Sequence, residues 1–172
     1  MSPDEDDLVH ATQAPVLSAA WAFAGAFWAD RDLDAAWLYV DPLLRRCWAQ
    51  MWLFPLLDVA REDGHDPEAV VEAFTADVPD HDLWPPFART QLRHADLPVD
   101  RETWGVKVNP ELIAPDIELV HLMPIPEGGV LYPGETRTAV PLLMRYEDGP
   151  GWRLLNFVSP AVPAPGWPPA MG

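Results

Sequence analysis

Apolar residues in the N-terminal part of the chain recur at helical spacing. Positions i, i+4, i+7 and i+11 of one stripe are Leu17, Trp21, Ala24 and Trp28. This spacing places them on one face of a helix. We predict that the helix runs from Pro15, a residue favoured in a first turn, to Ala29. Phenylalanines beside the stripe widen the apolar face, so most of the circumference of this helix is expected to be buried.

Three aspartates mark the starts of further helices. An aspartate before a helix accepts a hydrogen bond from a free backbone N–H of the first turn, and a proline fits directly after it. On this signal we predict helices over 33–40 after Asp32, 42–52 after Asp41 and 67–74 after Asp66. The segment 80–94 can also be helical if Pro85 and Pro86 lie in its first turn.

After residue 100 the apolar period changes from about 3.6 to 2, which is typical of strands. The predicted strands are 103–108, 116–123, a short 130–132, 136–146 and 152–158. Both faces of 140–144 are apolar, which fits a central strand covered by helices on one side and by a partner on the other. Pro141 cannot donate a ladder hydrogen bond, so we expect a bulge or an interrupted ladder there.

These elements predict a single α+β domain in which N-terminal helices pack on a curved antiparallel sheet. Five of the nine tryptophans lie between residues 14 and 54, and the sheet is the expected partner for this aromatic surface. We divide the chain into a flexible acidic N-terminus (1–13), one domain (14–159) with a possible helical insertion (55–102), and a Pro-rich tail (160–172). Trp167 is expected to hold the tail against the domain.

The composition and charge limit the classes of partner that the chain can bind. The net charge is −16, with 11 basic against 27 acidic residues, which argues against nucleic acid and anionic membranes. The N-terminus is acidic where a secretory signal would be basic, so a cytoplasmic location is expected. Cys47 is the only cysteine, which excludes an internal disulfide and suits a small buried residue on a helix. The dominance of arginine over lysine is typical of a high-GC bacterial genome.

Two segments resemble a known superfamily. FAGAFWADRDLDAAWLYVDPLLRRCWAQMW and the final hairpin RTAVPLLMRYEDGPGWRLLNFVSP are similar to the nuclear transport factor two-like superfamily, also called SnoaL-like or ketosteroid-isomerase-like. The resemblance covers about residues 14–159. It implies a cone-shaped α+β fold around an apolar pocket that takes a hydrophobic small molecule, and often a homodimer through the outer face of the sheet. Members of the superfamily include isomerases, cyclases, dehydratases and epoxide hydrolases, and also binding or assembly modules without a reaction.

An enzyme of this type needs a base in the pocket. His121 shares a strand face with Ile117 and Leu119, which we take as the inward face, so Glu118 is expected to face solvent or an interface. Asp41 is the second candidate base, although capping of the next helix is its more common role. A hydrogen-bonded core histidine is likewise the common outcome for His121.

Four further residues are candidates for ligand binding. Trp28, Tyr39 and Trp104 would line the pocket, and Asn156 would orient a ligand carbonyl. Plain core packing is the alternative for the aromatic residues, and a satisfied buried amide is the alternative for Asn156. Arg45 and Arg46 are expected to lie next to each other on the helix surface, beside carboxylates.

No sequence motif indicates a metal site, a phosphate loop or a nucleophile elbow, and no cofactor is predicted. Two hypotheses follow. The first is a small-molecule-binding or protein-interaction module without catalytic residues. The second is an isomerase, cyclase or hydratase that acts on a hydrophobic small molecule. The two differ in whether polar side chains converge inside one apolar cavity.

Overall fold

The fold is α+β, as the sequence predicts: helices pack on a four-stranded antiparallel sheet. The computed structural model describes residues 3–109, 113–126, 128 and 138–172, with the backbone alone for 3–12. The helices are α1 (Pro3–Ala24), α2 (Leu33–Trp37), α3 (Pro42–Leu53), α4 (Leu57–Glu62), α5 (Pro67–Thr75) and α6 (Trp84–Arg93). A π-helical turn (Gly25–Ala29) follows α1, and a 3₁₀ turn (Phe54–Leu56) follows α3. The strands are β1 (Trp104–Val108), β2 (Ile117–Pro124), β3 (Val140–Glu147) and β4 (Gly151–Asn156).

Asp32, Asp41 and Asp66 cap α2, α3 and α5, which confirms the predicted starts of these helices. Their carboxylates accept from backbone N–H groups of the first turn at 3.0, 2.8 and 3.2 Å, respectively. Each bond satisfies a donor that the helix itself leaves free. The two prolines of α6 lie in its first turn, also as predicted.

The predicted start of the first helix is wrong. α1 begins at Pro3, and Pro15 lies inside it. The acidic residues that suggested a flexible end suit the positive N-terminal end of a helix dipole. The helix ends in the π turn, where the N–H of Asp30 donates to the carbonyl of Gly25 at 2.8 Å.

The sheet is an antiparallel meander in the order β1-β2-β3-β4. Pro141 lies opposite His121 of β2 without a bulge, in the part of β3 that β4 does not reach. The irregularity comes later, between Leu143 and Met144, where the register with β4 shifts. Proline is accepted where one side of a strand lacks a partner. The predicted strand 130–132 and the first part of 136–146 lie outside the described residues.

One face of the sheet packs against the helices. Its buried residues are Val120, Leu122, Leu142, Met144 and Leu154. α1 lies across this face and contacts all four strands. Because side chains alternate along a strand, His121, Leu143 and Arg145 lie on the opposite, outer face. Leu143 is nevertheless 1 % exposed and Leu155 0 %, so part of the outer face is buried within the chain itself.

The aromatic residues pack largely between helices rather than on the sheet alone. The ring of Trp37 contacts those of Trp48, Trp84 and Phe87 at 4.9–5.6 Å between centroids. Phe74 of α5 joins the same cluster. The segment 55–102 therefore supplies much of the partner surface that the sequence assigned to the sheet. A single buried aromatic side chain removes about 150–250 Å² from water, so this contribution to the core is large.

The tail from residue 160 has no regular helix or strand, and Trp167 holds it to the domain as predicted. Its indole N–H donates to Glu68 at 2.7 Å, and the N–H of Gly166 donates to the Gln50 side chain at 3.0 Å. Val40 forms a single parallel bridge to Leu154 and thereby extends the sheet at its β4 edge. Among the helices that the structure describes, none has a stretch long and apolar enough to cross a lipid bilayer.

Candidate functional site

His121 lies on the outer face of β2, opposite Lys107 and Pro141 in the ladder. The residues of β2 that face the helices are Val120 and Leu122, which belong to the central core. The prediction that the face with His121 and Leu119 points inward is therefore wrong. Both faces of β2 are apolar, so alternation alone did not distinguish them. His121 is half-buried and does not point into the helix-covered core.

Asp41 is fully buried, and both its oxygens are engaged. Oδ1 accepts from the N–H of Leu43 as the α3 cap. Nε and one terminal nitrogen of Arg145 donate to Oδ2 and Oδ1 at 2.8 and 2.6 Å, forming a bidentate pair. Three hydrogen bonds thus occupy the two oxygens of this carboxylate, one from the backbone of α3 and two from Arg145. The capping interpretation is therefore correct for Asp41.

The two candidate bases do not meet. Asp41 binds Arg145 of β3. His121 of β2 lies opposite Pro141, which is on the same strand as Arg145. Arg145 lies four residues after Pro141, a distance of about 13 Å along the strand. General acid–base work needs both groups within hydrogen-bond reach of one substrate, and this separation does not provide it.

Asn156 is a satisfied buried amide. Its Nδ2 donates to the carbonyls of Ala161 and Met171 at 2.7 and 2.9 Å, and its Oδ1 accepts from the N–H of Val158. These bonds use both amide protons to hold the tail against β4. Nothing is left on the nitrogen to orient a ligand carbonyl.

Trp28 and Trp104 belong to the core. Trp28 is 6 % exposed, and its ring contacts Phe23, Phe27 and Phe157. Trp104 is 8 % exposed and packs in the same core from β1. Neither residue lines the clefts described below.

Tyr39 is the one sequence candidate that lines a cleft. The cleft has a volume of about 470 Å³ and opens between α1, the end of α2 and the β3–β4 hairpin. We call it the aromatic cleft, and its lining includes Tyr39, Tyr146, Trp152, Leu38, Pro15 and Ala19. The rings of Tyr146 and Trp152 are 5.5 Å apart between centroids. Tyr146 is 44 % exposed and Leu38 46 %, so apolar surface remains open to solvent here.

A second cleft of about 360 Å³ adjoins the aromatic cleft at Leu38. We call it the acidic cleft, and it is lined by Asp34, Leu38, Asp77, Val78, Pro79 and Trp84. The indole N–H of Trp84 donates to Asp34 Oδ1 at 2.6 Å. No local pattern of residues indicates this cleft, because its two carboxylates are 43 positions apart and come together only after folding.

Arg45 is buried, not on the helix surface as predicted. It is 1 % exposed and donates to the carbonyls of Thr75 and Trp37, and to Asp77 at 2.7 Å. Burial lowers the pKa of its guanidinium, which the bond to Asp77 partly offsets. Arg153 also binds Asp77, at 3.0 Å. The bond to Arg45 in turn lowers the pKa of Asp77, so Asp77 stays charged.

Glu118, expected in solvent or at an interface, lies instead on the helix-facing side of β2 with Val120, opposite Met144. The residue is half-buried, and its Oε2 is buried without a hydrogen-bond partner among the described residues. Burial raises the pKa of this carboxyl. Glu118 lines neither of the two clefts named above.

Cys47 is fully buried on α3, and burial raises the pKa of its thiol to about 11. This environment favours the thiol over the reactive thiolate. Across the described parts of the chain, no group of three or more His, Cys, Asp or Glu side chains is arranged to hold a metal ion.

Comparison of the chain with protein-family models, with curated proteins and with solved structures found no match.

Proposed function

We propose that the chain is a binding module without a catalytic role and that the aromatic cleft is its ligand site. The observation that carries this proposal is the grouping of Tyr39, Tyr146 and Trp152 around one open cleft. These residues come from the loop after α2 and from both strands of the last hairpin. Aromatic rings provide a large contact area at small entropic cost, which is why they dominate binding surfaces.

The alternative function, an isomerase, cyclase or hydratase, needs two polar side chains in one apolar cavity. Asp41 is engaged by its cap and by Arg145, and His121 lies on the outer face. The side-chain amide of Asn156 donates its hydrogen bonds to carbonyls of the tail. The positions of these three residues favour binding over catalysis.

The relation to the nuclear transport factor two-like superfamily is also a proposal. It is supported by the order of the elements, in which helices precede an antiparallel meander. The cone shape, the homodimer through the sheet and the cytoplasmic location stay predictions. Half-buried Ile117, His121 and Met123 on the outer face of β2 form the surface on which such a dimer would form. Sedimentation equilibrium of the native chain tests the dimer directly.

The test of the binding site uses a neutral, environment-sensitive dye such as Nile red. We expect saturable binding to the native protein. Tyr146→Ala removes an exposed ring of the cleft, and we expect it to weaken binding by about tenfold, as for a central aromatic contact. Because Tyr146 is 44 % exposed, this change leaves the core intact.

Met51→Ala is the matched control, because Met51 is 43 % exposed and lies outside the clefts. We expect this variant to bind the dye as the native protein does. Equal binding by all three proteins, or no binding by the native one, would refute the aromatic cleft as a ligand site.

A further inference from the structure

The aromatic and acidic clefts share one lining residue, and we call the two clefts together the groove. Leu38 lines both of them and is 46 % exposed between them. The groove therefore offers rings at one end and two carboxylates beside an indole at the other. An elongated ligand that crosses Leu38 would contact both ends.

The charge at the acidic end is unbalanced. Asp77 is shared by Arg45 and Arg153, and Asp41 and Glu147 both lie within 3.2 Å of Arg145. Counted together, these two groups of ion pairs contain three arginines and three carboxylates, so their formal charges sum to zero.

Asp34 adds a negative charge that no cation within the described residues balances. Its Oδ1 accepts from the Trp84 indole, and its Oδ2 accepts no hydrogen bond from the part of the chain that the structure describes. Any cation that enters the acidic cleft would find this charge available.

The lining suits a lysine or arginine side chain better than a simple ion. Leu38, Val78 and Pro79 are apolar and would pack against the methylene stem, while Asp34 would pair with the charged head. The Trp84 ring also borders the cleft and can favour a cation over its face. The net charge of −16 adds a long-range attraction for basic partners.

We propose that this groove binds an extended, proline-containing segment of a basic partner protein, an inference that rests on the proposed binding function. Proline or other apolar residues of the segment lie on Tyr39, Tyr146 and Trp152, and a neighbouring arginine or lysine reaches Asp34. Aromatic grooves accept proline-rich segments because the polyproline helix is already formed and loses little entropy on binding.

The chain's own Pro-rich tail is a poor occupant of this groove. Gln50 and Glu68 hold that tail elsewhere, through Gly166 and Trp167. Residues 160–172 also contain no arginine or lysine. A second copy has 27 acidic against 11 basic residues, so it is also a poor source of the basic segment.

The test uses a fluorescein-labelled peptide of four prolines, one leucine and one terminal arginine, with two analogues. One analogue has glutamate in place of arginine, and the other has glycine and serine in place of the prolines. At about 20 mM ionic strength, where screening is weak, we expect the arginine peptide to bind about tenfold tighter than the glutamate peptide. The preference should shrink at about 150 mM salt. The Gly/Ser analogue should bind more weakly than the parent at both salt concentrations.

Two matched variants locate the charge effect. Asp34→Asn keeps an acceptor for Trp84 but removes the charge, and it should reduce the arginine preference about threefold, the scale of one partly exposed ion pair. Asp58→Asn removes a charge that is 93 % exposed on α4, and it should leave the preference unchanged. Tyr146→Ala should weaken the binding of both the arginine peptide and the glutamate peptide.

The result can separate the two proposals. If Nile red binds in a Tyr146-dependent way but the arginine peptide shows no preference, or binds no tighter than about 1 mM, the inference is overturned and the binding site stands. An arginine preference that Asp34→Asn does not change also overturns it. If neither dye nor peptide binds, both proposals fall.

Discussion

Arg145 on β3 holds the buried carboxylate of Asp41 at the start of α3 with two hydrogen bonds of 2.8 and 2.6 Å. The same carboxylate caps the helix through the N–H of Leu43. On either side of Val40, the Tyr39 carbonyl accepts from the N–H of Leu154 of β4 and the Asp41 N–H donates to the Leu154 carbonyl. One residue thus joins the helical layer to two strands. This arrangement explains why a residue with an acidic side chain is 0 % exposed.

We predict that Asp41→Asn lowers the free energy of unfolding by about 3 kcal/mol. Asparagine still caps a helix, so the change removes the buried charge that pairs with Arg145 and leaves Glu147 as the carboxylate beside it, and breaking a buried pair typically costs this much. Urea denaturation followed by circular dichroism measures it. Asp66→Asn is the control, because Asp66 caps α5 at an exposed position and should change stability by less than about 0.5 kcal/mol. Similar losses for both variants would contradict the structural role of the pair.

Phe74→Ala should destabilise the protein by about 3–5 kcal/mol. Its ring is fully buried and contacts those of Trp52, Trp84 and Phe87, so truncation leaves a cavity between helices. Phe54→Ala is the matched control, because Phe54 is 43 % exposed, and it should cost less than about 1 kcal/mol. Equal effects in thermal or urea unfolding would show that the segment 55–102 is a separable insertion and not part of the core.

Glu118→Gln should stabilise the protein at neutral pH. Burial raises the pKa of Glu118 above its ordinary value of 4.5, so the folded state holds this proton more tightly than the unfolded chain does. The stabilisation by the protonated form is complete below pH 4.5 and is lost as the pH rises through the raised pKa. Glutamine does not ionise, so the variant should gain over the native protein only as the pH rises through that range.

The measurement for Glu118→Gln is urea unfolding at several pH values between about 4 and 8. Glu102→Gln, at an exposed position, removes the same charge and serves as the control. A stability difference for Glu118→Gln that does not vary with pH would contradict the argument.

Cys47 should react very slowly with a disulfide reagent in the native protein. With a pKa of about 11, only about one thiol in a thousand is ionised at pH 8, and the side chain is 0 % exposed. The absorbance of released thionitrobenzoate measures the rate. Unfolding in guanidinium should restore one fast-reacting thiol per chain, and fast labelling of the native protein would rule out the buried environment.

Local signals predicted much of the secondary structure. The Asp caps at positions 32, 41 and 66 fixed three helix starts, because a cap is a contact between neighbours in sequence. The period of two located all four strands that the structure describes to within a few residues. The candidate site was less predictable from the sequence than the secondary structure. Of the six predicted site residues, Tyr39 alone lines a described cleft.

The sequence by itself determined the fold class, the helix caps, the buried Cys47 and the net charge of −16, since all of these depend on composition or on near neighbours. Only the tertiary structure decided which face of β2 meets the helices, because Ile117, Leu119, Val120 and Leu122 make both faces apolar. It also decided that Asp41 meets Arg145, 104 positions away, and that Asp34 and Asp77 share a cleft. Such contacts arise from the packing of whole layers, and no local pattern of residues records them.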